Sequence, residues 1–149
     1  MLRIKGILCL IISLMIKNII INNETAAILI PKDFDVEKGI KFYSNPKDEF
    51  QIGIMKRVKK YKISPHYHEE KTRKIKHTSE TLIVKKGSVS CCFFNQDDKN
   101  DNKSVIINQG DILVILKYAH SFEFLEESEI VEIKQGPFIE TKQISNDSS

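Results

Sequence analysis

From residue 50 onward, apolar and polar positions alternate over short runs, and turn-forming residues separate the runs. Alternation of this kind marks half-buried strands, because successive side chains leave opposite faces of a strand. The expected strands are Gln51–Met55, Arg57–Ile63, Glu80–Lys85, Val89–Phe94, Ser104–Ile107, Ile112–Leu116, His120–Leu125 and Glu129–Lys134. Upstream, Asn18–Ile21 and Ala26–Ile30 read as two more. Gly87 and the run Asn108-Gln109-Gly110-Asp111 are turns, Glu69–Thr78 is a charged loop, and Asn95–Lys103 is a polar hairpin loop. No helical period and no internal repeat is visible. The pattern predicts an all-β sandwich or barrel.

Length changes this picture little: 149 residues, 41% of them hydrophobic, make one domain with a proper core. The expected boundaries are an apolar N-terminal segment at 1–17, a β domain at 18–138 and a disordered polar tail at 139–149. Arg3 and Lys5 before the apolar run Ile7–Ile16 imitate a signal peptide, but Lys17 and Asn18 interrupt it. The run is too short to span a membrane, and Met15 offers a second start. Three cysteines, Cys91 and Cys92 adjacent, are no disulfide framework. A reduced, cytoplasmic protein is expected, with export as the alternative if residues 1–21 act as a signal peptide.

A net charge of +3 is too weak to argue for nucleic acid. The basic run Lys56–Lys62 fits a solvated edge strand, where lysine also blocks aggregation. Neither a nucleic-acid nor a membrane partner is expected.

The chemistry gathers on histidine. There are only four, and three of them, His66, His68 and His120, fall into one constellation with Glu80. If His66 and His68 lie on a strand, both leave one face. A carboxylate and a third imidazole from neighbouring strands would complete a site of nitrogen and oxygen donors. Such a set suits one divalent transition metal, Fe, Mn, Zn, Ni or Cu, rather than Ca or Mg. The bland alternative is a pair of ordinary surface histidines. His77 is a rival nitrogen, but its odd spacing from Glu80 sets it on the opposite strand face. Cys-x-x-Cys and His-Glu-x-x-His are both absent, which excludes zinc-finger and metalloprotease readings. Asp98-x-Asn100-x-Asn102 imitates the opening of a calcium loop, yet Lys103 replaces its glycine, so it reads as a solvated turn.

Arg73, in the charged loop, is a candidate for holding a carboxylate or phosphate, or else a surface arginine. Tyr67, Tyr118, Phe122 and Phe124 are candidate pocket residues; alternation sets Phe122 and Phe124 on the face of His120. Glu132 and Lys134 share a face on the last strand and are candidate acid–base groups, as is Glu123. No catalytic residue is assigned.

These residues resemble the cupin superfamily. His66-x-His68 and Glu80-x6-Gly87 match its first motif, with a longer gap between the two halves and Lys60 where the motif opens on glycine. Gly110 and His120 match its second, without its proline, second glycine or asparagine; Phe124 stands at the asparagine position. Phe50-Gln51-Ile52-Gly53, Arg73-x-Ile75, Thr78-x-Glu80, Gly110-Asp111 and the stretch Glu132–Phe138 are similar to small stand-alone bacterial cupins. Those are often assigned to surface-polysaccharide or nucleotide-sugar pathways. The resemblance implies a double-stranded β-helix, a jelly-roll-like barrel, over 18–138. It also implies metal ligands His66, His68, Glu80 and His120, and a homodimer. A sugar or nucleotide-sugar isomerase or epimerase is then the expected activity, with an anionic, sugar-derived small molecule as ligand. The alternatives are a non-catalytic binding or sensing module, an iron-dependent dioxygenase, and a metal-free epimerase with histidine as base.

Overall fold

A computed structural model describes residues 14–144 and is all-β. The chain divides into two compact units, one built from residues up to Phe34 together with those from Thr78 onward, the other from Asp35–His77.

The larger unit holds β1 (Lys17–Ile21), β2 (Glu24–Ile30), β5 (Glu80–Lys86), β6 (Ser88–Phe94), β7 (Lys103–Asn108), β8 (Ile112–Ile115), β9 (Ala119–Phe124) and β10 (Glu129–Lys134). They form two antiparallel sheets, of order β1-β2-β8-β5-β10 and β7-β6-β9. Alternation decides what faces inward. On β6, Val89, Cys91 and Phe93 are fully buried, while the intervening residues are not. Leu82 and Val84 on β5, Leu113 and Ile115 on β8, Ala27 and Leu29 on β2 and Ile107 on β7 meet them in a single core. The sheets therefore pack face to face. Each keeps two edge strands, so the expected closed barrel is not formed; the arrangement is an open two-sheet one.

In β2 and β8 the apolar run is continuous rather than alternating, and Ile28 and Val114 are buried on the face opposite the core. Continuous runs of this type belong to strands covered on both faces.

Two turns fix how the strands cross. Gly87, at φ +87°, carries the chain from β5 in one sheet to β6 in the other. A Cβ there would stand 2.2 Å from Ser128 Oγ and 2.7 Å from the Glu127 carbonyl oxygen. Gly87→Ala combines a left-handed backbone with a clash, and we expect a loss of about 1–3 kcal/mol of stability by urea denaturation. An unchanged midpoint would refute this account of the turn. The second turn, Asn108–Asp111, is held by the nearly buried Asp111 carboxylate. It accepts hydrogen bonds from the Lys32 and Asn108 backbone N–H groups, both at 2.9 Å.

The smaller unit carries a hairpin of β3 (Gly39–Phe42) and β4 (Gly53–Lys56). Its connecting loop is fastened by Gln51, whose amide donates to the Asn45 and Asp48 carbonyls at 2.9 and 2.8 Å. Residues 57–77 follow with no regular structure. The expected strand Arg57–Ile63 is absent. Lys60 is left-handed at φ 67°, and the Tyr61 N–H turns back to the Val58 carbonyl at 3.1 Å. Arg57 stacks instead on the Tyr61 ring, 4.7 Å from its centroid. Pro65, which has no N–H to donate, keeps the next segment out of a strand as well. The end of the stretch is anchored by Glu49, which accepts from the Lys76 and His77 backbone N–H groups. Those bonds hold its carboxyl below the ordinary glutamate range.

The expected tail is irregular as far as residue 144; its end, and residues 1–13 of the expected apolar segment, lie outside the described residues. Among the described residues no helix is long and apolar enough to cross a membrane.

Candidate metal centre

Glu80 opens β5 and His120 lies near the start of β9, one on each sheet. Register sets both inward: Glu80 is opposite the core residue Ile115, and His120 opposite the core residue Phe93. His120 Nε2 stands 3.4 Å from Glu80 Oε2, with the two side chains 22% and 13% exposed. His120 Nδ1 lies 3.1 Å from the Tyr118 carbonyl oxygen. A carbonyl can only accept, so Nδ1 donates to it, and Nε2 is the ring nitrogen turned toward Glu80. That carbonyl is aimed by an unusual backbone, with Tyr118 left-handed at φ 76°. The Tyr118 hydroxyl donates to Glu24 Oε2 at 2.8 Å, which ties the residue down.

The imidazole rests on Phe93 and Phe122, at centroid distances of 6.2 and 5.3 Å. Phe122 is partly buried against the core; Phe124, on the same face, is 59% exposed. Cys91 sits in this core, and burial pushes its thiol up to about 12, with lesser contributions from Cys92 and the Glu80 carboxylate. A thiol so reluctant to ionise is a small apolar filler rather than a ligand or nucleophile.

The β5–β10 register adds two groups. Lys134 is directly opposite Glu80, and Glu132 is opposite Leu82, so both belong to the inner face. Lys134 Nζ contacts Glu132 Oε1 at 2.6 Å. That hydrogen bond first, and the fields of Glu132 and Glu80 after it, hold the lysine above its ordinary range. Glu123 falls on the other face of β9, opposite Ser90.

In the smaller unit, His66 and His68 lie in the irregular stretch and not on a strand. Their rings nevertheless adjoin edge to face, with centroids 5.6 Å apart. His66 Nδ1 is 3.0 Å from the Ser64 carbonyl oxygen, the same two-residue reach back as in His120. In both, Nδ1 is the nitrogen that meets the carbonyl. Tyr67 is 85% exposed and Arg73 is exposed. Within neither unit do three His, Cys, Asp or Glu side chains of the described residues converge. Each unit holds two of the four residues expected as metal ligands.

Imidazole and carboxylate are donor types that suit a transition metal. Metal-bound imidazoles characteristically donate their second nitrogen to a carbonyl or carboxylate, which fixes tautomer and orientation. His66 and His120 both do so. Sequence reasoning had no access to these two carbonyls, because their direction depends on local backbone angles.

The Asp98–Asn102 turn borders a cleft of about 550 Å³ lined in part by Asn22, Asn23, Asn95, Asp97 and Asp98. Its acidic groups serve the fold. Asp98 accepts from the Asn100 N–H at 2.9 Å, while Asp101 accepts from the Asn22 N–H at 2.5 Å and pairs with Lys103. These partners hold the Asp101 carboxyl below its usual range.

Comparisons with protein-family models, with curated proteins and with solved structures gave no match to this chain.

Proposed function

We propose that this chain is a metal-binding cupin that uses His66, His68, Glu80 and His120 as ligands in sugar or nucleotide-sugar isomerase or epimerase chemistry. The observation that carries the reading is the shared device at His66 and His120. In each, Nδ1 is committed to the carbonyl two residues earlier, leaving Nε2 to ligate. The pair of inward-facing sheets and the Glu80–His120 contact across them support it further. So does Tyr118: counted from Gly110, it occupies the position of the second glycine of the cupin motif, and it takes the left-handed conformation glycine favours.

A divalent ion would supply Lewis acidity, polarising a carbonyl and stabilising an enediolate. The chain's own residues would do the rest. Glu80 contributes charge in a largely buried position, Phe93 and Phe122 restrict the His120 ring, and Glu132 and Lys134 form an ion pair on the same face.

The test is elemental analysis of purified full-length protein, followed by a screen of sugar nucleotides and small keto acids. One equivalent of a transition metal per chain is expected. Protein that holds none, even after incubation with Fe, Mn, Zn, Ni and Cu in turn, would rule the reading out.

A further inference from the structure

Charge is divided unevenly between the two units. Asp35–His77 holds twelve Lys and Arg against six Asp and Glu, a net of +6, which leaves −3 for the rest of the +3 chain. The mild charge of the whole chain conceals this division, and with it the reason to expect a membrane partner. Eight of the twelve cations lie in the irregular stretch 57–77, where the only carboxylates are Glu69 and Glu70. Among the described residues none of the eight is in an ion pair. Arg57 stacks on the Tyr61 ring, and its buried Nε has no hydrogen-bond partner. Crowded like charges repel one another, and an anionic partner relieves that repulsion.

The same unit keeps its apolar side chains outside. Val36 and Ile52 are its only buried hydrophobic residues, whereas eight large ones are exposed. Ile40, Phe42 and Met55 leave one face of the β3–β4 hairpin, Ile40 opposite Met55 and Phe42 opposite Gly53. The Phe42 ring lies over Gly53, 3.0 Å from where a Cβ would stand, and is still 57% exposed. Every residue from 58 to 78 is exposed. There Val58, Ile63 and Ile75 are interspersed with the cations, as are the rings of Tyr61 and Tyr67. Exposed apolar groups in this number mark an interaction surface.

We infer that the smaller unit is a docking surface for an anionic lipid bilayer. Its cations meet the lipid headgroups while its aliphatic side chains enter the interface, a pairing that holds a protein on an anionic membrane without spanning it. Tyrosine suits the same boundary, with an apolar body and a polar tip. A single-stranded nucleic acid would use the cations and the rings but gain little from exposed isoleucine, valine and methionine. A second copy would bring a further +6 against the first, which opposes burying this surface between identical units. The inference does not depend on the metal-binding reading.

The test is sedimentation of the full chain with vesicles of phosphatidylcholine alone, and of phosphatidylcholine with phosphatidylglycerol in a three-to-one ratio. Wild type should pellet with the anionic vesicles only, and less so as salt is raised. Two variants separate the contributions, each first checked for a wild-type thermal transition. Replacing Lys59, Lys62, Lys71 and Lys74 together by glutamine should weaken vesicle binding by on the order of 100-fold. Phe42→Ser with Ile63→Ser keeps every charge and should weaken it by on the order of 10-fold or more. Wild type that stays in solution with anionic vesicles at low salt would overturn the inference, and this arm needs no variant to fold. Unchanged vesicle binding by the serine variant would overturn it too, because the surface would then be a purely electrostatic one. So would an oligo-dT strand that displaces wild type from the vesicles and binds the serine variant as tightly as wild type, the behaviour of a nucleic-acid surface. A wild-type dimer by light scattering that the serine variant loses would assign the apolar face to a second copy instead.

Discussion

Phe93→Ala should cost about 3–5 kcal/mol of folding stability, the range for truncating a buried aromatic in a packed core. Phe93 heads the fully buried side chains and lies on β6, between the two sheets of the larger unit. Its loss leaves a cavity lined from both sides, which two separately hydrogen-bonded sheets cannot easily collapse to fill. Against a typical total of about 5–15 kcal/mol, that is a large fraction. Phe124 supplies the control. It leaves the same face of β9 but is 59% exposed, so Phe124→Ala should cost less than about 1 kcal/mol. Urea titration of both variants gives the comparison. Equal losses would mean that Phe93 is not the centre of the core. The Phe93 variant should also loosen His120, whose ring packs against it.

Strands with a buried face and a marked end were legible in the sequence. Glu129–Lys134 is found with the expected bounds, and Glu80–Lys86 and Ser88–Phe94 within one residue of theirs. In the larger unit Glu80, His120, Phe122, Phe124, Glu132 and Lys134 leave inner faces; alternation had set Phe122 and Phe124 with His120 and Glu132 with Lys134, whereas the candidate Glu123 falls on the opposite face. What could not be read depends on partners or on single backbone angles. Gly39–Phe42 is a strand because Gly53–Lys56 pairs with it, and four residues are too few to display a period. Arg57–Ile63 has the composition of a strand, but a left-handed Lys60 and the following Pro65 take it out of any sheet. Sheet closure was equally hidden. The same strand list serves a barrel or an open pair of sheets, and only hydrogen bonding between edge strands distinguishes them. The contact of His120 Nδ1 with the Tyr118 carbonyl depends on a left-handed backbone at Tyr118, a residue that is not glycine.

Simultaneous replacement of His66 and His68 by alanine should take bound metal from one equivalent per chain to none. In the proposed set these two supply two of the three imidazole nitrogens, and Glu80 with His120 alone falls short of the three or more protein ligands that hold such ions. Loss of even an outer-shell partner of a metal ligand commonly costs about 10–100-fold in affinity, so removing two ligands should exceed that. Folding offers a clean separation of effects. Both histidines are exposed in a stretch without regular structure, and their side chains make no core contact. Surface replacements of this kind usually change stability by no more than about 0.5 kcal/mol. The metal-free double variant should therefore melt with the metal-free wild type, while the stabilisation that wild type gains on adding Zn²⁺ should vanish from the variant. Elemental analysis and thermal unfolding with and without Zn²⁺ read the two effects independently. Stoichiometric metal in the double variant would exclude His66 and His68 from the ligand set and return them to the surface.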